Sequence, residues 1–229
     1  LDGFVLTHTY ELVEIPSQEK VDAFLPPFQT VNKMDFEKPL NMGMSTSPAD
    51  NLELKYQQHQ AMMASMPLIE RVDNDFKESF GRAYGGLVDA YRCDDADAIL
   101  VTLGSISGTV RTVIDEMRAE GLRVGLLKIR YMRPFPEDAI IEKIKNCPAV
   151  GVLDKNISFG HEGTLFTHIA SAMAKGKYSP VLQDFVGGLG GRDISKDQIR
   201  EIFQTLLKKE ENSESLNFFG LGVKTDEHK

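Results

Sequence analysis

Two glycine-rich stretches carry the residue types best suited to holding an anion. Gly104-Ser105-Ile106-Ser107-Gly108 follows an apolar run and opens a helical pattern, where free backbone N–H groups can meet a phosphate. It lacks the full GxGxxG spacing and the lysine of a P-loop, so Ser105 reads as an anion contact or as a plain helix cap. Gly187-Gly188-Leu189-Gly190-Gly191-Arg192-Asp193 permits close backbone approach. Arg192 could meet a carboxylate or phosphate there, or be held in a local ion pair within a tight turn. Arg130 and Arg133 flank Tyr131-Met132 at the end of an apolar run, the edge where open α/β sheets place ligands and contacts. An interface role and a solvated pair weigh equally for them. Gly160-His161-Glu162-Gly163, with His168 beyond it, does not place two histidines four apart around a glutamate, so no zinc-protease site is encoded. Cys93 and Cys147 stand apart without CxxC spacing. They cannot build a zinc site or an iron–sulfur cluster by themselves, and they read as free thiols. No Ser/His/Asp triad, paired catalytic carboxylates or complete cofactor motif emerges.

These residues need a scaffold, and from residue 79 onward the pattern supplies one. Strands are expected at 98–103, 124–129, 149–153 and 181–186, all near-continuous apolar runs. Helices alternate with them. The first carries Val110, Val113, Ile114 and Met117 on one face and closes at Gly121; others follow at 137–145 and 163–174. A last helix, capped by Ser195, turns Ile199, Ile202, Phe203 and Leu206 inward. Such alternation predicts a doubly wound, mainly parallel α/β sheet covered on both faces. Upstream the pattern differs. A short strand is expected at Phe4–Leu6 and a short helix after Ser17. Residues 25–52 are broken by Pro26, Pro27, Pro39 and Pro48 and read as an extended, surface-wrapping linker that Leu40, Met42 and Met44 could anchor. Residues 50–78 read as two helices separated at Pro67, with Met62, Met63 and Met66 as adaptable packing. The tail after Lys209 is acidic and then apolar, through Leu216, Phe218, Phe219 and Leu221. It reads as a contact surface for partner subunits, with docking onto the chain's own domain as the alternative.

Composition narrows the classes of function. The 229 residues are 41% hydrophobic and 26% charged, a mix that can bury a core, and the net charge is -8. No basic face is implied, so nucleic acid and anionic membrane are poor partners. No apolar run approaches the roughly 20 residues that span a bilayer. With no signal-peptide pattern either, a cytoplasmic location is expected. The sequence opens at Leu1 within what reads as a strand already under way, so the natural protein is expected to continue upstream.

Five strings, taken together and in order, point to one family. They are Asp2-Gly3-Phe4-Val5-Leu6-Thr7-His8-Thr9-Tyr10-Glu11, Phe80-Gly81-Arg82-Ala83-Tyr84-Gly85-Gly86-Leu87 and Lys128-Ile129-Arg130-Tyr131-Met132-Arg133-Pro134-Phe135-Pro136. Leu153-Asp154-Lys155-Asn156-Ile157-Ser158-Phe159-Gly160 and Gly188-Leu189-Gly190-Gly191-Arg192-Asp193 follow. From residue 1 to about 208 they resemble the latter half of the alpha subunit of pyruvate:ferredoxin oxidoreductase and its 2-oxoacid relatives. The resemblance implies that residues 1–24 end a thiamine pyrimidine-binding domain and that 25–78 are linker and helices. It implies a transketolase-C-terminal-like domain over 79–210 and a tail over 211–229. By the same resemblance the activating glutamate lies upstream, the thiamine diphosphate and its magnesium lie mostly outside this chain, and iron–sulfur clusters sit on partner subunits. Thr7 and His8 are then weak candidates for lining the active-site cleft. Lys155 stands where relatives often carry arginine, which puts a local contact in doubt. The implied reaction oxidatively decarboxylates a 2-oxoacid, pyruvate foremost, to acyl-coenzyme A with electrons passing to ferredoxin. This segment would serve assembly more than chemistry, and the isolated chain would be inactive. The competing readings are a non-catalytic binding or scaffold module of the same fold and a nucleotide-binding protein using Gly104–Gly108.

Overall fold

Continuous runs of Val, Ile and Leu between residues 98 and 186 form the middle of a sheet because both faces of every run can be buried. The computed structural model describes residues 3, 7–43, 45–208 and 216–222. In chain order the elements are α1 (Gln18–Phe24), α2 (Pro48–Ala64), α3 (Met66–Phe80), β1 (Val88–Tyr91), β2 (Ala98–Leu103) and α4 (Ser107–Ala119). Then come β3 (Val124–Ile129), α5 (Glu137–Ile144), β4 (Ala149–Asp154), α6 (Thr164–Gly176), β5 (Val181–Val186), a 3-10 turn (Leu189–Gly191), α7 (Lys196–Lys208) and β6 (Leu216–Phe218). Packing of the backbone divides the chain into Glu11–Gly86 and a second unit of Leu87–Lys229 with Leu1–Tyr10.

The sheet order is β1-β3-β2-β4-β5-β6. β1 runs antiparallel to β3, with Val88 opposite Ile129, and the other neighbours are parallel. Helices α4 and α7 cover one face, burying Val110, Val113, Ile114 and Met117 with Ile199, Ile202, Phe203 and Leu206. Helices α5 and α6 cover the other, burying Ile140 and Ile144 with Leu165, Phe166, Ile169 and Met173. The chain is therefore doubly wound, as its alternation predicts. β2 and β4 are neighbours whose following helices lie on opposite faces, the arrangement that opens a crevice at the carboxyl edge. Ser195 caps α7 through a capping box. Its hydroxyl accepts from Gln198 N–H at 3.2 Å, and Gln198 Oε1 accepts from Ser195 N–H at 2.9 Å.

β1 and β6 were not expected as strands. Both lie at sheet edges, and they are four and three residues long. The tail therefore adds a strand to its own sheet: Leu216, Asn217 and Phe218 pair with Asp184, Phe185 and Val186. Phe219 continues the contact through its N–H to Val186 O at 3.2 Å, and its ring packs on the core under α7. Own-domain docking thus holds for these residues, in place of a surface given wholly to partners. The acidic stretch 209–215 and residues 223–229 lie outside the described residues.

Within Glu11–Gly86, α1, α2 and α3 contain no buried residue. Phe24, Phe76 and Phe80 stack on one another with ring centroids 4.6–5.7 Å apart, and Arg82 lies over Phe76 at 5.6 Å. The break between α2 and α3 falls at Ser65, not Pro67. Pro67 sits in the first turn of α3, where its missing N–H costs nothing. Met62 and Met63 are 41% and 43% exposed and so do not pack as expected. Leu40 and Met42, the expected anchors of the linker, are also exposed, and Met44 lies outside the described residues. No helix or strand occurs among the described residues from 25 to 47.

Candidate functional site at the carboxyl edge of the sheet

The most constrained polar cluster is built where β4 and β5 end against the start of α6. A helix start leaves four backbone N–H groups without intrahelical partners. Here each has one. Gly163 N–H donates to Asp184 Oδ2 at 2.7 Å, and Thr164 N–H donates to Asn156 Oδ1 at 3.2 Å. Leu165 and Phe166 N–H donate to the two oxygens of Asp154 at 3.2 and 3.0 Å. Asp154 and Asp184 are 2% and 0% exposed. A side chain on residue 163 would collide with the Asp154 carboxylate, so glycine is what lets this backbone reach both acids. Helix dipole and amides together favour anions at this position, and the protein's own carboxylates fill it.

Burial works against those amide bonds. Desolvation raises the Asp154 carboxyl above its usual range, partly offset by the N–H groups of Phe166 and Leu165. For Asp184 desolvation is again the largest cause; Asp154 and Glu162 repel its charge, and only Gly163 N–H opposes them, so its carboxyl is pushed up to about 6. Asp184 Oδ1 has no hydrogen-bond partner among the described residues. Both acids escaped the reading of motifs. The available signal was an aspartate inside the apolar run Val181-Leu182-Gln183-Asp184-Phe185-Val186, where a charge is costly without dedicated partners.

Of the residues singled out from sequence, Ser105, Arg130, Arg133 and Arg192 follow β2, β3 and β5 on the same edge, with local roles. Arg133 Nη2 donates to His168 Nε2 at 2.7 Å, while His168 Nδ1 donates to Thr164 O at 2.7 Å, which fixes the neutral tautomer. Phe135 packs on His168 with centroids 5.2 Å apart. Arg130 lies over Tyr131 at 5.7 Å. Arg192 donates to Gly220 O, so it ties the strap after β6 to the glycine-rich turn instead of forming a local ion pair. Gly187 is needed there because a side chain would strike the Phe219 ring. Ser105 does not cap α4. Ile106 occupies the cap position without a side-chain bond, and Ser107 donates its hydroxyl back to Gly104 O at 2.9 Å. His161 and Glu162 approach to 3.8 Å. Thr7 and His8 form an exposed turn, with Thr7 N–H bonded to Gly3 O, and the strand expected at Phe4–Leu6 lies outside the described residues. Cys93 and Cys147 are free and buried, and burial pushes the Cys93 thiol up to about 12.

Among the described residues no group of three His, Cys, Asp or Glu could hold a metal ion, and the α6 amides are occupied by Asp184, Asn156 and Asp154. No helix among them is long and apolar enough to cross a membrane.

Fold and site together define a three-layer α/β domain whose ligand edge is closed by its own side chains, joined to a helical segment with no buried residue. Comparison with known proteins gives the family. Residues 96–199 match pyruvate:ferredoxin oxidoreductase core domain II, and residues 1–74 match pyruvate flavodoxin/ferredoxin oxidoreductase, thiamine diphosphate-binding. Pyruvate synthase subunit PorA of Methanothermobacter thermautotrophicus is 46% identical over 222 residues, covering 96% of this chain and 56% of the relative. Ketoisovalerate oxidoreductase subunit VorA of Pyrococcus horikoshii is 38% identical over 207 residues, covering 90% and 52%. Among solved structures, a 2-oxoglutarate:ferredoxin oxidoreductase from Magnetococcus marinus aligns with a TM-score of 0.46 and 21% identity, over 71% of this chain and 24% of that one. The chain belongs to the family of 2-oxoacid:ferredoxin oxidoreductase alpha subunits. It spans about half the length of the curated relatives it matches.

Proposed function

We propose that this chain works as part of a thiamine diphosphate-dependent oxidoreductase in the cytoplasm. That enzyme decarboxylates pyruvate oxidatively to acetyl-coenzyme A and passes the electrons to ferredoxin. Magnesium accompanies the thiamine diphosphate, and iron–sulfur clusters sit on partner subunits. One observation carries the reading: 46% identity across 96% of the chain to a pyruvate synthase subunit. The two free, buried cysteines support placing the clusters elsewhere, since a cluster needs about four thiolates. Residues Leu87–Lys229 serve assembly, a role supported by the internal occupation of the α6 start and by the engagement of Arg133 and Arg192 with His168 and Gly220. Thr7 and His8 remain the candidates for the active-site cleft, and Ser105, Arg130, Arg133 and Arg192 for contacts at the sheet edge. The test is ferredoxin reduction by the purified complex containing this chain, with coenzyme A and a series of 2-oxoacids. Pyruvate should give the highest kcat/KM. A branched 2-oxoacid turning over better would overturn the substrate assignment, and no turnover of any 2-oxoacid would overturn the function.

A further inference from the structure

Within Glu11–Gly86 a cleft of about 200 Å³ opens between the start of α1 and the end of α3. Glu14, Ser17, Lys20 and Arg82 give it polar and charged walls, and Ile15, Pro16 and Phe80 give it apolar ones. Two of these groups are held in place by an aromatic cluster. The Phe80 ring packs on Phe24 and Phe76 at 5.3 and 4.6 Å, and the Arg82 guanidinium lies over Phe76 at 5.6 Å. An arginine stacked on a ring keeps its N–H fork for an anion. Ser17 takes the cap position of α1 without bonding its side chain to the helix. Among the described residues the Ser17 hydroxyl, the Lys20 ammonium and the Glu14 carboxylate have no hydrogen-bond or ion-pair partner.

Charge and size decide what these walls fit together. Two cations face the cleft against one acid. A dianion confined there meets Glu14, and a simple cation meets Lys20 and Arg82, so neither is matched. The volume lies below the roughly 300–1,000 Å³ of sites for drug-sized molecules. A ligand that satisfies every wall is small, carries one anionic and one cationic group, and ends in an apolar chain. A free α-amino acid with an apolar side chain has all three features, whereas either terminus of a peptide has only one of the two charges. We propose that this cleft binds such an amino acid. Arg82, Lys20 and Ser17 receive its carboxylate, Glu14 receives its ammonium, and Ile15, Pro16 and Phe80 receive its side chain. The proposal goes beyond the oxidoreductase reading and does not depend on it.

The test uses the purified complex containing this chain and follows binding by calorimetry, without turnover. Leucine should bind saturably with a Kd of about 1 mM or tighter. N-acetylleucine lacks the ammonium, leucinamide the carboxylate and glycine the side chain, and each should bind about tenfold or more weakly. Glu14→Gln, and Lys20→Gln combined with Arg82→Gln, should each weaken leucine by a similar factor with an unchanged circular dichroism spectrum. The three side chains are exposed, and the analogue series on the unaltered complex needs no variant. No saturable leucine binding up to about 10 mM would overturn the proposal. So would equal binding of glycine, or of N-acetylleucine or leucinamide, which would turn the cleft over to a peptide terminus. Leucine binding that survives both sets of substitutions would place the ligand elsewhere and sink the assignment as well. Ferredoxin reduction with 2-oxoacids reads the proposed function separately, so either idea can fail without the other.

Discussion

Replacing Asp184 with asparagine tests whether the acids beneath α6 are stabilising or merely tolerated. The side chain is fully buried, and its carboxyl moves from 3.8 to about 6. That move corresponds to roughly 3 kcal/mol of native-state stability missing at pH 8 relative to the protonated form. The sign follows from proton binding. The native state holds this proton more tightly than the unfolded chain, so the stabilisation is full below about 3.8 and is lost as pH rises through about 6. Between pH 8 and pH 5 this one group should make unfolding roughly 1–2 kcal/mol harder. Asp184→Asn keeps an acceptor for Gly163 N–H and removes the repulsion with Asp154, but buries an amide donor at a cost of about 1–2 kcal/mol. Its absolute stability at pH 8 should therefore change little or rise by about 1 kcal/mol, while the share of the pH response due to this group disappears and that of Asp154 remains. Urea unfolding of both proteins at pH 8 and pH 5, followed by amide exchange at Gly163 and Phe166, measures the difference. Working above pH 5 stays clear of Asp95, Glu116 and Glu142, whose carboxyls are held low by Arg118, Lys196 and Lys145. If wild type and Asp184→Asn differ by the same amount at both pH values, Asp184 titrates as an ordinary surface acid and the desolvation argument fails.

Gly163→Ala should destabilise the domain by roughly 1–3 kcal/mol, because its methyl meets the Asp154 carboxylate; thermal melts check this, and a neutral result would mean α6 can shift freely. Arg192→Met removes the donor to Gly220 O and should speed amide exchange at Phe219 with little effect in α5, as a residue-resolved exchange experiment would show. Gly187→Ala should release the same strap more completely, through collision with the Phe219 ring. Neither cysteine should react with Ellman's reagent in the native protein, while both should react in urea; fast native labelling of Cys93 would contradict its burial and raised thiol pKa.

Legibility followed burial. Strands 98–103, 124–129 and 181–186 could be bounded to the residue because each is apolar on both faces and stops at a charge, a glycine or a proline. β1 and β6 could not, since Val88-Asp89-Ala90-Tyr91 and Leu216-Asn217-Phe218 owe their strand character to a neighbour supplied from 30 or more residues away. The cap of α6 was hidden for the same reason: its acceptors stand 11 and 21 residues from the amides they meet. Ser105 shows the converse failure. A serine beside a helix start fits the cap rule, yet Gly104 in the left-handed region and the early helical turn at Ile106 begin α4 without it. The methionines of α2 failed differently. Their spacing is helical, but a periodic face shows only that a helix forms, not that this chain supplies what covers it.

One consequence follows from the direction of β1. Because Val88 pairs with Ile129, the chain enters the sheet at the carboxyl edge, with Arg130 N–H bonded to Leu87 O at 3.2 Å. The covalent link to Gly86 therefore departs from the same rim that carries Phe159 and Arg130. As an edge strand, β1 is paired on one side alone, to β3, so it can part from the sheet without breaking any pairing among β2, β4, β5 and β6.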